Sequence, residues 1–247
     1  MLRPLLVFIG RKKNPDFKID PSVSSGVIAS FIWNKSISWM RHLRILLNGK
    51  KPGLIFFGRG VRISGTSSIQ FGRMVQIGDY VNITAYGKGG LTLGNNVWIG
   101  SNSFIKVSFS FNDPGEYIYI GNNVGLGEFA HLGGAGGLTI GDDCIIGPYL
   151  SCHPENHNFF DNEKLIRMQG VTRRGINIGK NCWIGSKVTI LDGVTIGNNC
   201  VIAAGAVITK NMPADSVIGG VPAKVIKSRR EIVPAKDVKT ELKTAML

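Results

Sequence analysis

Two histidines, His153 and His157, lie four positions apart and are the side chains of this chain best suited to acid–base chemistry. The imidazole of histidine titrates near pH 6.5, which makes it the usual general base at neutral pH. The residues around the pair, His-Pro-Glu-Asn-His-Asn-Phe-Phe, include polar and aromatic side chains typical of a binding loop. The pair therefore predicts a proton-transfer site, and the surrounding elements must position it.

A six-residue repeat flanks this segment. In one stretch isoleucine recurs at every sixth position: Ile178, Ile184, Ile190, Ile196, Ile202 and Ile208. The same spacing appears in four earlier groups: Phe71, Ile77 and Ile83; Leu93, Ile99 and Ile105; Ile120, Leu126 and Leu132; Ile140, Ile146 and Cys152. A period of six fits neither a helix nor a plain strand and is typical of a β-helix. A β-sandwich is disfavoured, because its strands would alternate with period two.

Each hexad has the same internal order. The large aliphatic residue, position i, is followed by glycine at i+1, polar residues at i+2 and i+3, and a small or apolar residue at i+4. We expect i and i+4 to point inward, and Gly or Asn to accept the positive φ of the corners. The cysteines Cys144, Cys152, Cys182 and Cys200 all fall on inward positions, which predicts small buried core residues and a reducing, cytoplasmic setting.

The repeat is interrupted beside the two histidines. Cys152 and Ile178 are 26 positions apart, which is not a multiple of six. The sequence therefore predicts a loop over about 156–175 that leaves the coil and carries His157. Functional side chains are often placed on loops that a rigid scaffold holds.

Basic charge is concentrated at the two ends of the chain. The formal net charge is +13, and residues 1–60 contain eleven Lys or Arg against two Asp, whereas residues 61–220 are neutral overall. Residues 26–47 have apolar side chains at roughly helical spacing, with Gly49 as a helix stop. This basic amphipathic segment predicts either a cap on the first coil or contact with an anionic membrane. No motif or aromatic-studded basic groove supports nucleic-acid binding.

The remaining segments define the expected organisation of the chain. The apolar run over 4–9 is too short to span a bilayer and has no cleavage site, and no longer apolar run predicts a membrane span. We expect a basic N-terminal extension over 1–56, a β-helix over 57–218 and a C-terminal extension over 219–247. The expected location is cytoplasmic, with association at the inner face of the membrane as a second option.

The chain resembles the hexapeptide-repeat acyltransferases of left-handed β-helix fold. The residues that carry the resemblance are Ile146–Phe159, Ile178–Ser186, Leu191–Gly197, Ala203–Lys210 and Gly219–Ile226. Within this family the chain is most similar to the O-acetyltransferases of surface polysaccharides and to the galactoside, maltose and xenobiotic acetyltransferases. The resemblance is strong over about 118–228 and does not reach the first 50 residues.

The resemblance implies residue roles. It places the catalytic base at His157, eleven positions after Ile146, with His153 as the competitor. It implies an acetyl-CoA site formed by Trp183, Ser186, Ala204, Gly205, Thr209, Lys210 and Lys227. The acceptor site would include Glu128, His131, Asn156, Gln169 and Trp183, with Lys164 and Arg167 as further candidates. A homotrimer is implied, because the family's groove lies between the coils of neighbouring subunits.

The residues also leave room for different functions. The γ-class carbonic anhydrases share the fold and bind zinc through three histidines, for which His131, His153 and His157 are the candidates. The hexad phase disfavours zinc, because the position i+2 after Ile146 is Pro148, which cannot be a ligand. We therefore expect no metal. The sequence is also compatible with acetylation of a small xenobiotic or an amino sugar and with a non-enzymatic scaffold role, and it does not identify the acceptor.

Overall fold

A computed structural model describes residues 2–11, 16–41, 53–108, 110 and 112–231. The described chain begins with two helices, α1 (Leu2–Arg11) and α2 (Ser25–Arg41). The sequence predicted α2 but not α1, and the predicted continuation of α2 to residue 47 lies outside the described residues. Three short 3₁₀ helices cover Thr66–Ser68, Ile166–Met168 and Arg229–Glu231.

Short strands make up most of the rest. In chain order they are β1 (Ile55–Phe57), β2 (Arg62–Ser64), β3 (Ile69–Phe71), β4 (Val75–Ile77), β5 (Asn82–Thr84), β6 (Gly90–Leu93), β7 (Trp98–Ile99), β8 (Phe104–Lys106), β9 (Tyr117–Ile120), β10 (Gly125–Leu126), β11 (His131–Gly133), β12 (Leu138–Ile140), β13 (Ile145–Ile146), β14 (Ser151–His153), β15 (Asn156–His157), β16 (Val171–Thr172), β17 (Ile176–Ile178), β18 (Trp183–Ile184), β19 (Thr189–Leu191), β20 (Thr195–Ile196), β21 (Val201–Ile202), β22 (Val207–Ile208), β23 (Ser216–Gly220) and β24 (Ala223–Ser228).

These strands form a left-handed parallel β-helix, which confirms the predicted fold class. The first face contains β1, β4, β7, β10, β13, β18, β21 and β23; the second face contains β2, β5, β8, β11, β14, β19 and β22; the third face contains β3, β6, β9, β12, β17 and β20. Successive coils stack in register, so that Ile146 pairs with Ile184 and Ile184 with Ile202. The inward side chains form one continuous apolar core.

The corners explain the order within each hexad. Positive φ occurs at i+3, as at Asn102 (59°), Asn123 (56°) and Gly205 (74°). Glycine at i+1 has a different cause: a Cβ on Gly100 would lie 2.4 Å from the backbone nitrogen of Glu128 in the next coil. The expected positive φ at the corners is therefore confirmed at i+3. It is not the reason for glycine at i+1, where close contact between coils leaves no room for a Cβ.

Polar residues at i+2 and i+3 form ladders along the corners. The side-chain oxygen of Asn122 accepts from the backbone nitrogen of Asn95 at 2.8 Å, and the backbone nitrogen of Asn122 donates to Asp142 Oδ1 at 2.8 Å. The side-chain amide of Asn123 donates to Asp143 Oδ1 at 2.8 Å. These bonds satisfy backbone groups that no strand partner reaches.

All four cysteines are free thiols in the core, as predicted. The thiols of Cys144, Cys182 and Cys200 donate to carbonyl oxygens of the following coil at 3.2–3.4 Å. Burial raises the pKa of Cys152 to about 12. A thiol with such a pKa is inert at neutral pH, so Cys152 is a structural residue.

The two ends of the coil are covered differently. Strand N–H groups donate toward the following coil, so the carbonyl of Phe57 in the first coil has no coil before it to bond to. Two side chains of α2 donate to this carbonyl instead: Ser38 Oγ at 2.7 Å and Arg41 Nη1 at 3.4 Å. At the other end β24 pairs antiparallel with β23. Among the described residues, no helix combines the length and apolar character needed to cross a membrane.

Candidate active site

A hairpin interrupts the coil where the hexads lose their phase. In this coil the strand of the second face, β14, ends at His153, and the strand of the third face, β17, begins at Ile176. Between them β15 and β16 pair antiparallel, with His157 opposite Val171. The side chains of Asn156 and His157 are exposed on this hairpin. The hairpin thus holds His157 outside the coil, at the corner between the second and third faces.

Gln169 organises the outer part of this loop. Its Oε1 accepts from the nitrogen of Asp161 at 3.0 Å, and its Nε2 donates to the carbonyls of Asp161 at 2.7 Å and Lys164 at 2.9 Å. Lys164 also forms an ion pair with Asp161 at 2.8 Å, whereas Arg167 is exposed. Gln169 therefore has a structural role that the sequence did not predict, and its contact with an acceptor stays a prediction.

Arg173 ties the base of the loop to another insertion. Its guanidinium contacts Glu155 at 2.6 Å and Asp113 at 2.7 Å. Partial burial lowers the pKa of Arg173, but the hydrogen bonds and negative charges of Glu155 and Asp113 outweigh it and raise that pKa. Asp113 lies in the segment between β8 and β9, for which the sequence predicted no role. A signal was present, because Ile105 and Ile120 are 15 positions apart and so differ in hexad phase.

Asp192 holds the end of the loop where it rejoins the coil. Its Oδ1 accepts from the backbone nitrogens of Arg174 at 2.8 Å and Gly175 at 2.9 Å. Its Oδ2 is buried without a hydrogen-bond partner among the described residues. Asp192 occupies the same corner one coil further on, so the stacking of coils fixes where the loop ends.

His131 and His153 form a pair on the second face. Their rings stack with centroids 5.4 Å apart, and His153 Nε2 lies 2.6 Å from Ser151 Oγ. Removal of water from part of the ring lowers the pKa of His131, and the charges of His153 and Lys106 lower it further. The surroundings of His131 therefore favour its neutral form more than water does. His153 is held in β14 rather than on the loop.

The remaining predicted site residues fall into two groups. At the corner between the first and second faces lie Glu128, Ser186, Ala204 and Gly205, with Trp183 beside them on the first face. Thr209 and Lys210 follow β22. They lie at the corner between the second and third faces, the same corner from which the loop leaves, but two coils further on. Lys227 is on β24, opposite Val217. The second face, with His131 and His153, separates the two groups within one chain.

The corner near Ala204 is open to a ligand. Ala203, Ala204 and Gly205 are exposed, and a Cβ placed on Gly205 would meet no atom within 4 Å. A thin pantetheine-like group could approach the backbone there, since small residues leave it uncovered. Thr209, Lys210 and Lys227 lie outside this corner, and their roles stay predictions.

A cavity of about 550 Å³ lies elsewhere, between α2 and the first coils. It is lined by residues that include Lys35, Arg41, Arg59 and Trp98, and by none of the predicted site residues. In the part of the chain that the structure describes, no three His, Cys, Asp or Glu side chains are grouped as metal ligands.

Known proteins share sequence with part of this chain. A family model described as "Bacterial transferase hexapeptide (six repeats)" matches residues 175–210. A putative acetyltransferase of Staphylococcus aureus strain MRSA252 is 36% identical over 143 residues, which are 56% of this chain and 68% of that protein. The chain belongs to the hexapeptide-repeat acetyltransferase family. This result confirms the resemblance found in the sequence.

Two further matches are informative for this acetyltransferase-family chain. Galactoside O-acetyltransferase of Escherichia coli K12 is 36% identical over 140 residues, 55% of this chain and 63% of that enzyme. The structure of AntD, an N-acyltransferase from Bacillus cereus in complex with dTDP and 3-hydroxybutyryl-CoA, has a TM-score of 0.52 at 19% identity, and covers 85% of this chain and 96% of AntD. That likeness concerns the fold. The chain spans 51–63% of the length of three curated relatives, the galactoside enzyme included.

Proposed function

We propose that this chain transfers an acetyl group from acetyl-CoA to a hydroxyl group of a sugar. The observation that carries the proposal is an exposed histidine, His157, on a hairpin of a β-helix that is 36% identical to galactoside O-acetyltransferase. The name of AntD's ligand, 3-hydroxybutyryl-CoA, supports an acyl-CoA donor.

His157 is the proposed general base. Its imidazole takes the proton of the acceptor hydroxyl, and the resulting oxygen attacks the thioester carbonyl of acetyl-CoA. The tetrahedral intermediate then breaks its carbon–sulfur bond, and the CoA thiolate takes the proton from the imidazolium. No acyl-enzyme is formed. A backbone N–H near Ser186 is the proposed donor to the oxyanion, and the fixed hairpin supplies orientation.

We propose that the complete site forms between neighbouring copies in a homotrimer. Within one chain, His157 and Lys210 lie at one corner, whereas Trp183 and Ser186 lie at or beside the next. A neighbour that presents its first-and-second-face corner to the loop would bring the two groups together. The proposed acceptor is a polysaccharide or lipid-linked glycan precursor, which the concentration of basic charge at the N-terminal segment supports.

The test compares two histidine variants. We expect His157→Ala to lower kcat/KM by about 10²–10⁴-fold, the range for loss of a general base. The measurement is release of free CoA thiol from acetyl-CoA in the presence of galactosides and other sugars. His153→Ala is the matched control, because its side chain is held on the coil, and it should retain most activity.

Two outcomes would contradict this proposal. Activity that survives in His157→Ala but is lost in His153→Ala would move the base to the stacked pair. If both variants keep full activity, the reaction class itself is wrong. Circular dichroism of each variant confirms that the coil is intact.

A further inference from the structure

Helix α2 has two distinct sides. One side faces the coil: Ser38 donates to the carbonyl of Phe57, Lys35 Nζ contacts Gln76 Oε1, and Phe31 lines the cavity between helix and coil. On the opposite side are Trp33 and Met40, seven residues or two turns apart. Their side chains are 66% and 50% exposed. The bonds to the coil fix the orientation of the helix, so Trp33 and Met40 point away from the coil. Together with Ala29 they form an outward apolar stripe.

Charge distinguishes this end of the molecule from the rest. Neither α1 nor α2 contains an acidic residue, and each has a basic residue in its last turn, Arg11 and Arg41. Residues 1–60 contain eleven basic residues against two acidic ones, while residues 61–220 contain eleven of each. The exposed side chains of Trp33 and Met40 therefore lie within a strongly basic segment.

We propose that the outward stripe of α2, centred on Trp33 and Met40, rests on an anionic lipid surface. Trp is favoured at membrane interfaces, where its apolar ring and polar N–H have suitable surroundings, and Met adds flexible apolar contact. Lys35 and Arg41 of α2 face the coil, and the other Lys and Arg of residues 1–60 supply the basic charge that is attracted to anionic headgroups. The helix lies flat on the lipid, since its other side is bonded to the first coil. This inference does not depend on the proposed catalytic activity.

A second copy of the chain is a less suitable occupant. Two copies that met through this stripe would bring together two segments with a net charge of +9 each, from eleven basic and two acidic residues. Like charges at such a contact repel, whereas an anionic bilayer supplies the complementary charge. The charge of the segment therefore favours lipid over self-association.

The test uses the full chain and vesicle flotation. Phosphatidylcholine vesicles with added phosphatidylglycerol should carry the wild-type protein to the top of the gradient, and pure phosphatidylcholine vesicles should carry much less. The variant Trp33→Ser/Met40→Ser should lower the bound fraction at least several-fold. High salt should also lower wild-type binding, because it screens the charges.

The matched control is Leu165→Ser/Met168→Ser. These loop side chains are 67% and 69% exposed, so the control removes a similar exposed apolar pair elsewhere on the molecule. It should bind vesicles like the wild type. Equal binding by the helix variant and the wild type, or an equal loss in both variants, would overturn the proposal. Light scattering after gel filtration completes the test: a helix variant with a lower oligomeric mass than the wild type would assign the stripe to a copy interface instead.

Discussion

The structure describes three of the four histidines, and they lie in two kinds of surroundings. His157 is exposed on a hairpin, where an acceptor hydroxyl can reach it. His131 and His153 stack on the second face, and Ser151 holds the ring of His153. This pair lies between the two groups of predicted site residues.

The lowered pKa of His131 predicts a pH dependence of stability. Below its unfolded pKa near 6.5, the unfolded chain binds a proton at His131 that the folded chain does not. The free energy of unfolding should therefore fall as the pH drops through 6.5, until the lower folded pKa is reached. His153 and Lys106 face His131 and oppose its protonation. Thermal unfolding of His131→Gln should show a smaller loss on acidification. Parallel pH profiles for variant and wild type would contradict this assignment.

At the scale of the elements, the coil places a different backbone requirement on each of two hexad positions. Glycine at i+1 permits backbone contact between coils, and residues at i+3 adopt positive φ. The loop depends on side chains from other coils: Arg173 bonds to Asp113 and Glu155, and Asp192 caps the returning backbone. The coil is therefore self-repeating, whereas the loop is held by particular long-range contacts.

Two glycine-to-alanine variants distinguish the effect of close contact between coils from the effect of replacing glycine within a strand. Gly100→Ala should lower the free energy of unfolding by about 1–3 kcal/mol, the usual cost of overpacking, because its Cβ would meet backbone atoms at 2.4 Å. Gly125→Ala should change it by less than about 0.5 kcal/mol, since its Cβ would meet nothing within 4 Å. Chemical denaturation measures both. Equal effects of the two substitutions would show that coil contact is not the reason for glycine at i+1.

At the scale of the whole molecule, the proposed site is divided. His157 and Trp183 lie on different parts of the coil, with the second face between them. Cyclic oligomers of three or more subunits place one surface of a subunit against a different surface of the next. Such an arrangement would combine the loop of one copy with the first-and-second-face corner of another.

Mixed oligomers test this division directly. His157→Ala and Trp183→Ala, each expected to be poorly active alone, are co-expressed with different tags and isolated as mixed assemblies. If the two residues act from different chains of a trimer, one of the three sites in every mixed trimer has both residues intact. Activity should recover to about that fraction of the wild type. If both residues act within one chain, every site has a defect and no recovery follows.

Much of the fold could be predicted from the sequence, because each coil of a β-helix is specified by a short residue pattern that repeats along the chain. The isoleucine period predicted the coil, and hexad phase placed the four cysteines inside. The loss of phase after Cys152 also predicted the loop. The contacts of Arg173 were not predicted, because Asp113 is distant in sequence. The segment that contains Asp113 gives no signal in the sequence except the loss of hexad phase between Ile105 and Ile120. Helix α1 was read only as a short apolar run.

The sequence by itself determined the repeating architecture and the segment that leaves it, since each coil repeats one pattern of inward, corner and polar residues. Only the tertiary structure decided which contacts hold each of the two neighbouring histidines. Stacking of coils binds His153 to Ser151 and His131, and antiparallel pairing with Val171 carries His157 away. Spacing along a chain cannot show these contacts, because coil stacking and strand pairing join residues that are distant in sequence.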